Sequence, residues 1–459
     1  RADGYVKKVL LFMTTSIIAN DPKQRRKVLT GTLVGTTIEF YDFLIYAQAA
    51  AIVLAPHFIE PAAKSNPQVA QVLAWATLGI SFLFRPLGAI VAGHIGDRYG
   101  RKMILVFTLI GMGAATFCIG LLPTYESIGI AAPILLVLLR IFQGLSAGGE
   151  WGGAALMSVE YAPKEKRGIY GAFPQAGVPL GLTLATGTML IVMAIIGEEA
   201  YMDWGWRVPF LLSFILVLIG YMIRRTVDES PVFQAMQAES AERSAPLPEL
   251  FRNHWGKVIQ GALIFAAQQA TGYLVIAFFG AYAQKTLGYS ATVAWTGTLV
   301  AGICWTIFMF MAGAWSDRIG RAKTFIIGYV LIMIWEAVMW NILDKGPFLY
   351  VMTVAVLTLP LALTFGPQPA MYSEMFPAEV RYSGASIAYA IGAVLGGAFA
   401  PMIAQMIMDA TGNPFYISIY LMAMAIPALI ALFLLPKGLE DRDLIEHPET
   451  NLDEVKSRV

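Results

Sequence analysis

Gly93-His-Ile-Gly-Asp97-Arg98-Tyr-Gly100-Arg101-Lys102 is followed, 220 positions later, by Gly313-Ala-Trp-Ser-Asp317-Arg318-Ile-Gly320-Arg321-Ala322. A second pair keeps nearly the same offset. Glu160-Tyr-Ala-Pro163 with Arg167 matches Glu374-Met-Phe-Pro377 with Arg381, 214 positions apart. Two motifs recurring in order, at about half the 459-residue length, indicate a duplicated unit. In each copy the glycines let helix ends approach closely, and Asp and Arg side chains can pair across the gap. One such loop alone reads as a basic loop that sets topology. Two at matching depth read as a gate.

What separates the motifs is apolar. Hydrophobic residues make up 57% of the chain and charged residues only 14%, against about 25% charged in soluble domains. Mean hydropathy is +0.63. Such a chain cannot cover its apolar surface in water, which excludes a soluble enzyme domain, a nucleic-acid binder and a disordered protein. Cys118 and Cys304, the two cysteines, both lie in apolar runs, so a disulfide scaffold is excluded as well. The stretch Val9–Ala19 is too short and too broken by hydroxyl residues for a cleavable signal peptide. Met13 is expected to start the natural chain, and residues 1–12 stay outside the fold argument.

About twenty apolar residues cross the ~30 Å of hydrocarbon as a helix. Twelve stretches meet that need, at 28–55, 70–96, 102–122, 130–157, 168–197, 206–224, 255–284, 290–315, 322–343, 347–373, 381–409 and 414–436. They lack the alternation of a membrane barrel, so helices are expected. With both termini inside, 23 Lys/Arg are cytoplasmic and four (Lys64, Arg207, Lys285, Lys345) lie outside. The expected organisation is an N-terminal cytoplasmic segment 1–27, a six-helix bundle 28–224, a central cytoplasmic loop 225–254, a second six-helix bundle 255–436, and a short mobile cytoplasmic tail 437–459.

Here the motifs become specific. Gly-x-x-x-Asp-Arg-x-Gly-Arg-Lys resembles the signature loop of the major facilitator superfamily, and Arg140-x-x-Gln143-Gly144-x-x-x-Gly148-Gly149 resembles its fourth-helix motif. Within that superfamily, Glu39-Phe-Tyr-Asp42-Phe, Arg85-Pro86-Leu-Gly88, Glu150-Trp151-Gly152-Gly153 and Val380-Arg381-Tyr-Ser-Gly384-Ala resemble the metabolite:proton symporters. That group includes shikimate, α-ketoglutarate and citrate permeases and proline/betaine transporters. The likeness runs from about Arg25 to Pro436, and Ala322 departs from it where a basic residue is common. It implies an all-α integral membrane protein with the major facilitator fold, 12 transmembrane helices in two six-helix halves, working by alternating access. It also implies a bacterial-type plasma (inner) membrane location, proton coupling and a small metabolite.

Charges within spans are the candidates for the working site, because each costs several kcal/mol unless used or paired. Span one carries Glu39 and Asp42, three apart and on one helical face. Span two carries Arg85, and span four carries Arg140 and Glu150. At 100° per residue, Arg140, Gln143, Ala147 and Glu150 form one stripe about 15 Å long. Two arginines and three carboxylates that share a cavity make an anion cradle and a proton relay. Two neighbouring carboxylates repel when both are charged, so one of Glu39 and Asp42 can exchange a proton near neutral pH. The bland reading is that the arginines pair with these acids to hold the bundle together.

The second half has no counterpart charge in its first two spans, and the position matching Arg85 is Trp305. It offers Gln268, Gln269, Tyr273, Gln368, Tyr372 and Tyr389, expected to supply shape and hydrogen bonds to substrate. Each alone reads equally as glue between helices. Glu336, on span nine, reads as structural or interfacial. Gly144-Leu-Ser146-Ala-Gly148 matches a nucleophile pattern. It lies inside a membrane helix, and all four histidines (His57, His94, His254, His447) fall at or beyond span ends, so an intramembrane enzyme is a remote alternative. No phosphate-binding loop is present.

The expected function is a proton symporter importing a small organic acid, with a proline/betaine-type zwitterion as the alternative. Arg85 and Arg140 are assigned to the substrate carboxylate, and Glu39, Asp42 and Glu150 to the proton. The gate is assigned to Asp97, Arg98, Arg101, Asp317, Arg318, Arg321, Glu160, Arg167, Glu374 and Arg381. No metal or organic cofactor is expected; the proton is the coupling ion. The expected partners are the organic acid and the lipid bilayer, with no nucleic acid and no obligatory protein.

Overall fold

The computed structural model describes residues 22–61, 77, 79–91, 101–148, 150–226, 246–377, 380–436, 438–441 and 444, with backbone alone at 51, 101–105, 223–226 and 246–247. Asp97 and Arg98 lie outside the described residues, as does the side chain of Arg101. Among the described residues every regular element is helical. That follows from the solvent: in hydrocarbon the backbone must satisfy its own hydrogen bonds, and a helix does so within one segment.

Each of the twelve predicted stretches contains helix. We label them α1 (Pro22–Ala49, running on as a π-helical segment Ala50–Ile59), α2 (Gly79–Val91), α3 (Arg101–Leu121), α4 (Ala131–Ala147 and Glu150–Glu160), α5 (Arg167–Ile196) and α6 (Arg207–Thr226) in the first half. The second half holds α7 (Trp255–Lys285), α8 (Ala291–Ile319), α9 (Arg321–Val338), α10 (Pro347–Met375), α11 (Arg381–Thr411) and α12 (Phe415–Phe433). Among the described residues, eight are long and apolar enough to cross a membrane alone. Glu198–Gly205 and Arg207–Met222, which meet at a 64° bend, make a ninth when taken together as one span. Lipid-facing surface is apolar, with Ile191, Ile195, Phe214, Met311 and Phe433 all exposed.

The halves meet along α5 and α8. A Cβ on Gly168 would lie 2.5 Å from the Gly313 carbonyl, and one on Gly313 would lie 2.8 Å from the Gly168 carbonyl. Only glycine permits such an approach, which packs the two backbones against each other near the helix ends. Gly320, at φ +99°, makes the whole turn between α8 and α9.

One expectation is corrected here and another narrowed. The tail was expected to be mobile throughout, yet Leu439 and Leu444 are buried, and Leu444 packs with Val159 of the first half and Ala370 of the second. Two leucines flanking the acidic pair Glu440-Asp441 give the segment an apolar anchor that its charge obscures. Glu336 is not interfacial. It is fully buried and accepts a hydrogen bond from Thr271 on α7 at 3.2 Å, which fits the structural side of its reading.

Candidate functional site

The residues assigned to the gate come together where helix ends from both halves meet. Asp317 accepts from the backbone N–H groups of Gly168 and Ile169, at 2.7 and 2.9 Å, so a carboxylate from α8 caps the start of α5 across the interface. Arg321 pairs with Asp317 at 2.7 Å. Glu374 lies between Arg321 at 3.5 Å and Arg167 at 3.7 Å. Arg381 reaches Glu160 at 3.9 Å. The two repeat motifs thus exchange partners: Glu160 of the first half meets Arg381 of the second, and Glu374 of the second meets Arg167 of the first. Arg318 is exposed and stands outside these pairs. The tail joins the cluster. Glu440 accepts from the Arg321 backbone N–H, Lys164 donates to the Asp441 carbonyl at 2.7 Å, and Arg381 donates to the Leu444 carbonyl at 3.0 Å.

Deeper in the bundle, Arg85 and Arg140 are both buried among aromatic rings. The Arg85 guanidinium lies 4.4 Å from the ring centres of both Phe43 and Phe82. Arg140 lies 3.8 Å from Tyr46 and 5.0 Å from Phe43. Tyr273 of α7 closes the group edge-on, 5.0 Å from Phe82 and 6.1 Å from Phe43. Ring faces hold guanidinium cations in place without neutralising them. Tyr273 and Tyr389 both lie within electrostatic reach of Arg85 and Glu39, which puts these four at one location between the halves.

Arg85 is held there by glycines. Cβ atoms on Gly88, Gly144 and Gly148 would lie 2.1 Å from the carbonyls of Leu145, Ser81 and Arg85 respectively, so α2 and α4 are in backbone contact. Gly144 and Gly148 of the apparent nucleophile pattern are therefore packing glycines. Ser146 faces α3, with its hydroxyl 2.8 Å from where a Gly111 Cβ would sit.

Between cradle and gate runs a layer that joins the halves. Trp151 of α4 stacks on Tyr389 of α11 at 4.0 Å and 12°, and Tyr389 stacks on Phe265 at 4.3 Å. The Trp151 indole donates to Gln175 at 2.7 Å. Gln175 in turn donates to Gln368 at 2.9 Å, and Gln268 donates to the same Gln368 oxygen at 2.8 Å. Tyr372 packs edge-on to Trp151 and donates to the Gly261 carbonyl at 2.6 Å. Trp305 is fully buried against Phe365, and Gln269 lies beside Gly397 and Tyr273. On the opposite side of the site, Gly79 meets Phe399 so closely that a Cβ would fall 2.5 Å from the ring, and Tyr201 packs on Trp295. Lys285 there lies within reach of Glu60 and Asp409. Described residues of the two halves thus meet on both sides of the site.

One predicted proton group does not face where the helical wheel put it. Asp42 is fully buried inside the first half, its Oδ2 3.3 Å from where a Gly113 Cβ would sit on α3, and neither of its oxygens has a hydrogen-bond partner. A spacing of three residues leaves about 60° between side chains. Here that turns Glu39 towards Tyr273 and Asp42 into the bundle. Glu150 accepts from Thr108 of α3, the helix that Gln143 also meets through Thr116, so the α4 stripe faces α3 along its ~15 Å.

Sequence reading missed Trp151, Gln175 and the ring set Phe43, Tyr46 and Phe82. Gln175 had a usable signal, being an amide in a long apolar run with Pro174 beside it. The rings had none, because aromatic residues are ordinary in membrane spans.

The Major Facilitator Superfamily profile matches residues 35–388. The inner membrane metabolite transport protein YhjE of Escherichia coli (strain K12) is 42% identical over 416 residues, covering 89% of this chain and 94% of that protein. The shikimate transporter of the same organism is 37% identical, covering 87% and 91%. Its proline/betaine transporter is 32% identical, covering 92% and 86%. Among solved structures, the proton:xylose symporter XylE bound to 6-bromo-6-deoxy-D-glucose superposes with a TM-score of 0.73 at 20% identity, over 90% of this chain and 96% of that one, which is a likeness of fold. This multi-pass chain is a secondary transporter rather than an enzyme, and it belongs to the major facilitator superfamily.

Proposed function

We propose that the protein imports a small organic acid by proton symport, by alternating access across an inner membrane with both termini cytoplasmic. The observation that carries this reading is a pair of buried guanidinium groups with nitrogens to spare. Arg85 Nε and Arg140 Nη2, with Trp305 Nε1 nearby, are buried N–H groups without hydrogen-bond partners. Unmet buried donors cost free energy, and a ligand rich in oxygen acceptors repays it. Two guanidinium groups make that ligand anionic. The similarity to a shikimate transporter supports the same class. Arg85 and Arg140 take the carboxylate, and Gln268, Gln269, Tyr273, Trp305, Gln368, Tyr372 and Tyr389 shape the remainder. Asp42 carries the proton: it is fully buried one helical turn from Glu39, and no hydrogen-bond donor reaches its oxygens. Glu39 passes the proton between Asp42 and the site.

The second reading, a zwitterion of proline or betaine type, draws on Glu39 beside Tyr273 and Tyr389, a carboxylate and rings that suit a cationic ligand group. It has support in the similarity to proline/betaine transporters. Uptake into proteoliposomes decides between them, using shikimate, α-ketoglutarate, citrate, proline and betaine with and without an inward proton gradient. Accumulation of an acid that collapses on adding a protonophore is expected. Uptake indifferent to the protonophore refutes symport, and an unchanged KM in Arg85→Lys refutes the carboxylate role.

A further inference from the structure

The Arg140 guanidinium is committed nitrogen by nitrogen. Nη1 donates to Gln143 Oε1 at 2.5 Å and Nε to the Thr77 carbonyl at 3.4 Å, while Nη2 has no hydrogen-bond partner. The group that sets this orientation lies one step away. Gln143 Nε2 donates to Thr116 Oγ1 of α3 at 2.7 Å, and the Thr116 hydroxyl donates to the Met112 carbonyl at 3.0 Å, one turn back on its own helix. Arg140, Gln143 and Thr116 are all fully buried.

A threonine hydroxyl has one hydrogen to give. With that hydrogen committed to Met112, Oγ1 serves Gln143 only as an acceptor. The Gln143 amide must then turn its nitrogen to α3 and its oxygen to Arg140. Reversed, it would set two N–H groups against a guanidinium. The polarity of the relay is therefore set from both ends, by the donor-only guanidinium and by Thr116, which lies on a helix outside the ring cluster of Phe43, Tyr46, Phe82 and Tyr273.

We propose that Thr116 is a positioning residue of the transport site: through Gln143 it fixes Nη1 of Arg140, so that Nη2 is the nitrogen presented to the substrate carboxylate. This rests on the anion reading of Arg140, and the test keeps the two apart. Uptake kinetics are measured in proteoliposomes, with whichever of shikimate, α-ketoglutarate or citrate is taken up as the probe, for Thr116→Val, Thr116→Ser, Arg140→Lys and Thr116→Val combined with Arg140→Lys. Thr116→Val is expected to raise KM about tenfold with Vmax within about twofold, the scale of one misplaced charge-assisted hydrogen bond. Thr116→Ser is expected to keep the wild-type KM, and Thr116→Val to add nothing in the Arg140→Lys background. Gln143→Leu cuts the same link from its other end and carries the test if Thr116→Val does not fold. A wild-type KM in Thr116→Val and Gln143→Leu, with a raised KM in Arg140→Lys, overturns the positioning role and leaves the anion reading standing. A wild-type KM in Arg140→Lys overturns the anion reading, and the positioning role with it.

Discussion

Gly148→Ala tests whether backbone contact between α2 and α4 places Arg85. The added methyl would fall 2.1 Å from the Arg85 carbonyl oxygen, where real Cβ contacts do not go below 3.0 Å. The helices must therefore part by at least about 0.9 Å, and the atom pushed belongs to Arg85 itself. No flexible side-chain end is available to yield, because the neighbours are the Arg85 carbonyl, the Ala89 nitrogen and the Gly88 carbonyl carbon. Overpacking of this kind costs about 1–3 kcal/mol. A displacement near 1 Å at a binding group can cost up to about a hundredfold in rate. Two assays read the two effects: thermal unfolding in detergent, and initial uptake at subsaturating substrate. Gly187→Ala on α5 is the control, since its methyl would meet nothing closer than 3.8 Å. Gly148→Ala should unfold at lower temperature and lose at least about tenfold in uptake, while Gly187→Ala should match wild type. If Gly148→Ala unfolds and transports like Gly187→Ala, the backbone contact does not place Arg85.

At the gate, Glu374→Gln removes the charge that Arg167 and Arg321 share. A loss of about 1.4 kcal/mol from the closed form changes the closed-to-open ratio tenfold. Maleimide labelling of Ala172→Cys, which lies buried beside Gly313, should accelerate by about that factor; an unchanged rate means the pair does not hold the gate. The double exchange Glu160→Arg with Arg381→Glu should restore slow labelling that either single change loses. Trp151→Phe should keep the stack on Tyr389 but lose the hydrogen bond to Gln175, and Trp151→Ala should lose both, lowering the unfolding temperature in that order; equal values would show that the stack contributes nothing. Asp42→Asn should retain substrate exchange while abolishing proton-driven accumulation, measured by counterflow against uphill uptake; accumulation at the wild-type level would remove Asp42 from the proton pathway.

The charged cluster was legible in the primary structure for a physical reason. Charged motifs at span ends must lie at one membrane surface, so two copies at matching offsets come within reach of each other. Glu160 with Arg381 and Glu374 with Arg167 follow from that. The centre was less legible because hydropathy reports depth in the bilayer but not how each helix is rotated against its neighbours. Asp42 and Glu39 share a helix and a level, yet a 60° difference sends one into the bundle and the other to the seam. Gln175 and Trp151 belong to the first half, although the layer they form was sought in the second. Close approach of α2, α4 and α11, which decides these rotations, is written in single glycines such as Gly79 and Gly148, whose partners no periodicity identifies.

The exchanged bridges carry a consequence for descent. Glu160 to Arg381 and Glu374 to Arg167 are the same contact with its two ends swapped, as in a two-fold homodimer where residue i of one subunit meets residue j of the other. A single ancestral six-helix chain carrying one glutamate and one arginine could have closed the same face by pairing with a copy of itself. The interiors of the two halves do not match in the same way: one holds Arg85 and Arg140, and the other holds Trp305 at the position of Arg85. The charged face keeps the symmetry of such a dimer, and the core has given it up.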